Sequence, residues 1–292
     1  MDGECQLQKD IKKLYSVDKD CKIALSLGQV DFVNCLPINL PIQMGEIDMS
    51  ASIINAVPSK LNTLILNSKI DIAPISSYAY LKNKDKLTPI ANLCIASNGP
   101  ADSVLLFSKL PIEKLQRVDI ALSHASATSN ILLEIILKKF YKLNNRFDPL
   151  TSYTSFIDSN YTAALLIGDY ALREANKAVE NIFVYDLGAL WKTYTGLPMV
   201  FGIWVVRSEV IEKYPEEIKT ISNQLRQAKE IGLTSMFNKV IKTAQETVPI
   251  SDDFYKSYFN HLSYEFTDEC KKGLELFEKC CCDVRTAVLA AT

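Results

Sequence analysis

The residues of this sequence best suited to bind a ligand are small polar ones, and they recur directly after apolar runs. Asn34 ends the run DFV, and a short polar segment follows each of four later runs. The residues of these segments are Ser76, Ser77, Ser97, Asn98, Gly99, Ser126, Thr128, Ser129, Gly168 and Asp169. Hydroxyl and amide groups can hydrogen-bond a ligand without filling the crevice that holds it. Each residue alone also suits a helix cap or a turn, so only the repetition predicts a shared binding edge.

The apolar runs that precede these residues alternate with helical patterns, which predicts an α/β fold with a mostly parallel sheet. Predicted strands lie within residues 22–33, 69–75, 90–96, 104–107, 118–122, 163–167, 182–186 and 200–206. Predicted helices cover residues 58–66, 76–81 and 128–141, a helix from Pro215, a stretch around 254–262 and a last helix from Thr267 to near Cys280. Ligands of open α/β sheets bind in the crevice outside the carboxyl ends of the strands, where the polar segments would meet.

The chemistry of these segments favours a small anion that carries carboxylates. Helix N-termini at strand ends present free N–H groups and a positive dipole end. The segment SATS, Ser126 to Ser129, is the best single candidate for an anion cradle. The formal net charge of the chain is −2, so no global basic field attracts an anion, and local groups must hold it.

Charged catalytic groups are scarce in these segments. Asp169 is the only carboxylate directly after a predicted strand, and His124 is an alternative general base, although a lone loop histidine is more often structural. The adjacent thiols Cys280, Cys281 and Cys282 lack the spacing that zinc sites favour and fit better as apolar groups near a helix end. We therefore predict neither a metal site nor a cofactor.

The composition is that of a globular protein with a sizeable core. The chain has 292 residues, of which 48% are hydrophobic and 23% charged. The first 21 residues contain no apolar core of a secretory signal, and no later stretch reaches ~18 uninterrupted apolar residues. These features predict a cytoplasmic protein with reduced thiols and without a nucleic-acid or membrane partner. They predict no particular oligomeric state.

Several ordered motifs resemble the chorismate dehydratases of the futalosine route to menaquinone. The matching stretches are FVNCLPI at 32–38, VPSKLN at 57–62, DIAPISS at 71–77, SNGPADSVLLFS at 97–108, ASATS at 125–129, AALLIGDYAL at 163–172 and YDLGALWKTYTGLPMVFGIW at 185–204. They cover about residues 23–207, and the last third resembles the family only in its helical pattern. The joint occurrence of these short motifs makes the resemblance specific.

This resemblance implies a two-lobe fold like that of type 2 periplasmic binding proteins, with the ligand in the cleft between the lobes. Lobe 1 would comprise residues 22–102 and 202–292, lobe 2 residues 103–201, and residues 1–21 would form an N-terminal extension. The implied reaction converts chorismate, a dicarboxylate, to 3-[(1-carboxyvinyl)oxy]benzoate and water. The resemblance makes Asn34 the catalytic candidate and adds Ser103 to the substrate-binding residues.

Two alternative functions stay open at this point. One is the sister enzyme of the same pathway and fold, which makes dihydroxynaphthoate. The other is a cytosolic protein that binds a small anion without chemistry, because a fold alone does not fix a function.

Overall fold

The computed structural model of the chain describes residues 25–150, 155–156, 159–177 and 181–289, with side chains up to residue 283. The predicted N-terminal extension, residues 1–21, lies outside this part of the chain. The described residues form two mixed sheets with flanking helices, which confirms the predicted two-lobe α/β architecture.

The strands and helices follow most of the predicted pattern. The strands are β1 Leu25–Val30, β2 Ala51–Ala56, β3 Ile72–Ser76, β4 Leu87–Ser97, β5 Val104–Ser108, β6 Asp119–Leu122, β7 Arg146–Pro149, β8 Ala163–Ile167, β9 Phe183–Asp186, β10 Met199–Arg207 and β11 Leu262–Glu265. The helices are α1 Leu36–Gln43, α2 Pro58–Leu66, α3 Ser77–Leu81, α4 Ala127–Ile135, α5 Gly168–Ala175, α6 Leu187–Thr195, α7 Ser208–Lys213, α8 Pro215–Leu233, α9 Phe237–Thr247, α10 Asp252–His261 and α11 Asp268–Leu289. Short 3-10 turns cover Val33–Cys35 and Ile112–Lys114, and a π-helical turn, Ile136–Phe140, extends α4.

The two sheets divide the strands into two groups. The first sheet has the order β11-β4-β10-β3-β1-β2, and the second has the order β7-β6-β8-β5-β9. The chain passes from the first sheet to the second between β4 and β5, and it returns through α6 to β10. The predicted lobe boundaries at residues 102/103 and 201/202 fall in or next to these two passages, and we keep them as a prediction.

The prediction of a mostly parallel sheet is wrong for both sheets. In the first sheet β1 pairs parallel with β2 and β3, but β10 pairs antiparallel with β3 and β4, and β11 pairs antiparallel with β4. In the second sheet β5 pairs antiparallel with β8 and β9. The double passage explains the pairing of β10 with β4, because β10 re-enters the first sheet from the other lobe and runs against the strand that left it.

The core is built from strands that are buried on both faces and from helices that cover them. Every residue of β3, β5 and β8 is buried, as expected for continuous apolar runs between helix layers. Helix α8 begins at Pro215, as predicted, and packs closely on α1. A Cβ on Gly232 of α8 would come within 1.8 Å of the Pro37 carbonyl oxygen, so only glycine permits this approach. The helix pair thereby fixes the start of α1, which begins two residues after Asn34.

The last helix differs from the prediction in its length. It was expected to end near Cys280, but α11 continues to Leu289. Cys280 and Cys281 are therefore buried inside the helix rather than at its end, and Cys282 is exposed. In the part of the chain that the structure describes, no helix combines the length and the apolar character needed to cross a bilayer.

Candidate active site between the two sheets

A cavity of about 580 Å³, counted together with its open mouth, lies between the two sheets. The first sheet contributes residues near the ends of β1, β3, β4 and β10, and the second contributes residues of β5, β8 and the starts of α4 and α5. Six of the predicted site residues line it: Asn34, Ser76, Ser103, Ser126, Ser129 and Gly168. The remaining lining is mainly apolar, and none of the described lining residues carries a charged side chain. Such a cavity suits a ligand with a hydrophobic ring and a few polar substituents.

Asn34 lies in the 3-10 turn Val33–Cys35, directly after β1. Its Oδ1 atom is buried and has no hydrogen-bond partner among the described residues. Its backbone carbonyl accepts a hydrogen bond of 2.9 Å from the Tyr264 hydroxyl. Pro37 follows in the first turn of α1, so the turn is held rigidly while the carboxamide stays available for a ligand.

Asp169 supports this turn from the second lobe. Its Oδ1 accepts a hydrogen bond of 3.0 Å from the backbone N–H of Val33, and the carboxyl group is buried. Burial raises the pKa of Asp169 above its usual range, although the bond from Val33 and the nearby Arg173 act against this. Asp169 itself is outside the cavity lining. It contacts the turn that carries Asn34 and not the cavity.

Gly168 brings the second lobe close to the same turn. Its φ of 58° is in the left-handed region that favours glycine, and a Cβ here would lie 3.1 Å from the Phe32 ring. The Gly168 N–H donates to the Ser103 carbonyl at 2.7 Å. The start of α5 therefore contacts Phe32 on one edge of the cavity and Ser103 on another.

Ser126 and Ser129 form the polar part of the opposite wall. The Ser126 Oγ accepts a bond of 3.1 Å from the Ser129 N–H, which makes Ser126 the cap of α4, and the two hydroxyls lie 2.9 Å apart within hydrogen-bond reach. Thr128, between them, is fully buried, and its Oγ1 accepts a bond of 3.0 Å from the Tyr78 N–H of α3. Thr128 thus links the two lobes and does not line the cavity.

Ser76 and Ser77 show how neighbouring residues separate. Ser76 lines the cavity, and its Oγ caps α3 and accepts a bond from the Asn62 side chain at 3.2 Å. Ser77 is fully buried, lies outside the lining, and has a hydroxyl without a partner among the described residues. Successive residues point to different sides at this junction, so one of the two predicted hydroxyls faces the ligand space.

The passage after β4 uses its polar residues mostly for its own shape. The Ser97 hydroxyl donates to the Gly99 carbonyl at 2.9 Å, Gly99 has a φ of 145°, and Asn98 is exposed. These three residues form the bend and lie outside the cavity lining. Ser103 does line the cavity, and its Oγ donates to the Ala101 carbonyl at 3.2 Å.

The other groups considered for chemistry have the following positions. His124 is exposed and lies outside the cavity lining, whereas Cys35 lines the cavity. Burial, together with the nearby Asp169 and Asp31, raises the pKa of the Cys35 thiol to about 12, so it is a neutral group at physiological pH. Within the described residues, no group of three or more potential metal ligands comes together.

Two tyrosines that bond to residues of the cavity lining were missed from the sequence. The buried hydroxyls of Tyr258 and Tyr264 bond to Ser103 and Asn34, from positions more than 150 residues away. The sequence analysis places Tyr258 only within the predicted helical stretch around residues 254–262. A buried tyrosine needs a partner for its hydroxyl, and this is the only signal that the sequence offers.

The fold and the inter-sheet cavity together define a periplasmic-binding-protein fold. The aliphatic sulphonate-binding protein SsuA of Escherichia coli has a TM-score of 0.62 at 14% identity, with 91% of this chain and 94% of SsuA covered. Protein AF1704 of Archaeoglobus fulgidus has a TM-score of 0.72 at 16% identity, with 88% and 96% covered. At these identities the likeness concerns the fold alone.

The sequence comparison is more specific. A family model described as "Menaquinone biosynthesis" matches residues 25–283, and the chain belongs to this family. The chain is 30% identical to the chorismate dehydratase of Thermus thermophilus, over 77% of this chain and 84% of that protein. It is 27% identical to the chorismate dehydratase of Campylobacter jejuni, over 65% and 73% of the respective lengths. The match to the 1,4-dihydroxy-6-naphtoate synthase of Thermus thermophilus is weaker, with 22% identity over 52% and 54%.

Proposed function

We propose that this chain is a chorismate dehydratase, a hydro-lyase that serves the futalosine route to menaquinone. Its family, and its greater similarity to chorismate dehydratases than to the naphtoate synthase, support this choice over the sister enzyme. The substrate would be the dianion chorismate, and the product 3-[(1-carboxyvinyl)oxy]benzoate.

The observation that carries the proposal is the unpaired Oδ1 of Asn34 at the cavity. A buried polar atom without a partner destabilises a protein by roughly 1–3 kcal/mol, so such atoms are rare unless a ligand or water completes them. A carboxamide can both accept and donate, and it does not repel a dianion. We assign Asn34 the role of holding the C4 hydroxyl of chorismate as this group leaves.

The reaction needs a base for the C3 proton, and the described lining residues include no carboxylate, histidine or lysine. We propose that the enolpyruvyl carboxylate of the substrate accepts this proton. The electron pair of the C3–H bond then forms the new ring double bond while the C4–O bond breaks, and the proton that the carboxylate has accepted passes to the leaving hydroxide, so that water departs and the carboxylate is regenerated. Aromatisation drives this step, so the protein mainly positions the groups, which can supply up to roughly 7–11 kcal/mol.

The remaining predicted residues fall into two proposed roles. Ser76, Ser103, Ser126, Ser129 and Gly168 would contact the substrate, since all of them line the cavity. The N–H groups of Ala127 and Thr128, the first two of α4, have no acceptor within the helix and would bind a substrate carboxylate beside Ser126 and Ser129. In the second role, Ser77, Ser97, Asn98, Gly99, Thr128 and Asp169 would shape and hold the site from outside the lining.

Incubation of the purified protein with chorismate alone tests the proposed function. We expect a product whose mass is lower by one water and whose absorbance is that of a substituted benzoate. Asn34→Ala is the matched control, because it removes only the carboxamide. If chorismate binds but is recovered unchanged, the chain is a binding protein; if it neither binds nor reacts, the proposed substrate is wrong.

A further inference from the structure

The segment formed by α10 and β11 carries three buried tyrosines behind the cavity. Tyr255, Tyr258 and Tyr264 are 0%, 1% and 4% exposed. Hydroxyls of buried tyrosines need partners, and each of these three has one. The partners of Tyr258 and Tyr264 line the cavity, whereas the partner of Tyr255 does not. The three tyrosines therefore divide into two that bond to the cavity lining and one that does not.

Tyr264 acts on the Asn34 turn. Its hydroxyl donates to the Asn34 carbonyl oxygen at 2.9 Å. On the other side of the pair Val33–Asn34, Asp169 accepts a hydrogen bond from the Val33 N–H. The two bonds hold the peptide group before Val33 and the peptide group after Asn34, so they fix both ends of this residue pair. The direction of the Asn34 carboxamide therefore depends on a hydroxyl from β11.

Tyr258 acts on Ser103 in a comparable way. Its hydroxyl donates to the Ser103 Oγ at 3.0 Å, and the Ser103 Oγ donates its own proton to the Ala101 carbonyl at 3.2 Å. A serine hydroxyl has one proton and two lone pairs. With the proton and one lone pair engaged, Ser103 presents a single lone pair to a ligand, so it is held as an acceptor.

Tyr258 thus leaves the Ser103 Oγ as an acceptor, and the Asn34 Oδ1 is a second acceptor without a partner among the described residues; both acceptors belong to residues that line the cavity. Two acceptors suit a ligand group that donates, which a hydroxyl does and a carboxylate does not. The proposed substrate has a single hydroxyl, the group that leaves, and this hydroxyl would match the two acceptors.

We propose that Tyr258 and Tyr264 are positioning residues that orient Ser103 and Asn34 toward the substrate hydroxyl. This inference rests on the proposed function. Neither tyrosine is among the residues that line the cavity, so each acts through the residue it bonds.

Tyr255 provides a matched control within the same segment. It is also fully buried in α10, and its hydroxyl donates to the Ala244 and Val248 carbonyls at 3.2 and 2.7 Å, away from the cavity. Replacement of any of the three tyrosines by phenylalanine removes one hydroxyl and nothing else. The loss of folding stability should therefore be similar in all three variants, whereas an effect on the reaction separates the two kinds.

The experiment measures melting temperature, chorismate dissociation constant and kcat for Tyr258→Phe, Tyr264→Phe and Tyr255→Phe. We expect a similar decrease of melting temperature in all three. Only Tyr258→Phe and Tyr264→Phe should lower kcat, by about 10- to 100-fold, because small misplacements of reacting groups are costly. Their dissociation constants should change less than kcat. Equal kcat values in all three variants would overturn the inference while the proposed function stands.

A double-mutant cycle on kcat tests whether Tyr258 acts through Ser103. If it does, Tyr258→Phe should have little further effect in a Ser103→Ala background. Full additivity would overturn the positioning role of Tyr258. If the wild-type chain binds chorismate without turnover, the proposed function fails, and the inference then requires weaker chorismate binding in Tyr258→Phe and Tyr264→Phe than in Tyr255→Phe.

Discussion

The two walls of the cavity hold their polar groups in different states. On the wall of the first lobe, the Oδ1 of Asn34 is buried without a partner among the described residues. On the wall of the second lobe, the Ser126 and Ser129 hydroxyls lie 2.9 Å apart and satisfy each other. Both walls are presented by a segment that directly follows a strand, so the difference lies in the hydrogen bonding and not in the architecture.

This difference indicates where ligand binding gains most. An unpaired buried acceptor destabilises the empty protein by about 1–3 kcal/mol, and a ligand that bonds to it recovers that free energy. A hydroxyl pair that is already bonded must give up or share its bond when a ligand arrives, so the net gain is smaller. We therefore expect substitutions on the Asn34 wall to affect turnover most, and those on the serine wall to affect it less.

The largest effect is expected for Asn34→Ala and Asn34→Asp. Removal of one preorganised hydrogen-bonding group from a reacting centre typically lowers kcat by on the order of 10²–10³. Asp additionally places a negative charge beside a dianion in a partly desolvated cavity, so it should bind chorismate more weakly than Ala. Steady-state kinetics and chorismate titration of both variants measure these effects.

The Asn34 variants also separate the catalytic role from a turn-forming role. Because the unpaired Oδ1 destabilises the free protein, the melting temperature of Asn34→Ala should be equal to or higher than that of the wild type. A near-wild-type kcat for Asn34→Ala would contradict the expectation that the Asn34 wall matters more than the serine wall. Asn34 would then be an ordinary turn residue.

A smaller effect is expected on the serine wall. Ser129→Ala removes a hydroxyl but keeps the cap that Ser126 provides to the Ser129 N–H. A hydrogen bond to a charged group contributes ~1.5–3 kcal/mol, which corresponds to about 10- to 150-fold in affinity. The existing bond between the hydroxyls places the expected loss of chorismate affinity near the lower end of this range, measurable by titration.

Ser126→Ala is the matched variant for this wall, since it removes both the hydroxyl and the cap. Loss of a serine cap destabilises by about 1 kcal/mol, so the melting temperature of Ser126→Ala should fall further than that of Ser129→Ala, which loses the bond between the hydroxyls but keeps the cap. If Ser129→Ala binds chorismate as tightly as the wild type, the serine wall has a purely structural role.

The sequence predicts a strand of this molecule best where the strand is buried on both of its faces. The apolar runs predict the central strands correctly, but β2, β7 and β11 were missed, and all three are edge strands. Their residues are largely half-exposed or exposed, so they lack a continuous apolar run. Strand direction was also mispredicted, because the pattern of a strand contains no information about the side from which the chain re-enters a sheet.

The site shows the same limit at the level of single side chains. The strand-end pattern finds segments that reach the cavity, but within them Ser76 and Ser129 line it, whereas their neighbours Ser77 and Thr128 do not. The direction of a side chain at a strand-to-helix junction depends on the residue at which the helix begins. This residue changes by one position when a neighbouring residue provides the cap. Tyr264 lies 230 residues from its partner in sequence, and such a contact is set by tertiary packing alone.

The smallest effect on turnover is expected for Asp169→Asn, which tests the contact that joins the two lobes behind Asn34. Asparagine keeps an oxygen that can accept from the Val33 N–H, so kcat should be close to that of the wild type. Burial raises the pKa of the Asp169 carboxyl, so its ionised form destabilises the folded protein. The asparagine variant should therefore be at least as stable as the wild type at neutral pH.

The difference in stability between Asp169→Asn and the wild type should depend on pH. As pH falls through the raised pKa of Asp169, the wild-type carboxyl becomes protonated in the folded state and its penalty disappears, so the stability advantage of asparagine should shrink toward acidic pH. Asp169→Ala is the contrasting variant, because it leaves the Val33 N–H without its acceptor, which destabilises by roughly 1–3 kcal/mol and loosens the Asn34 turn. Denaturant unfolding at several pH values, with kcat at neutral pH, measures both effects. If Asp169→Asn loses as much turnover as Asp169→Ala, the charge of Asp169 is needed for the reaction, and the serine wall and Asn34 would not be the only polar groups that serve the substrate.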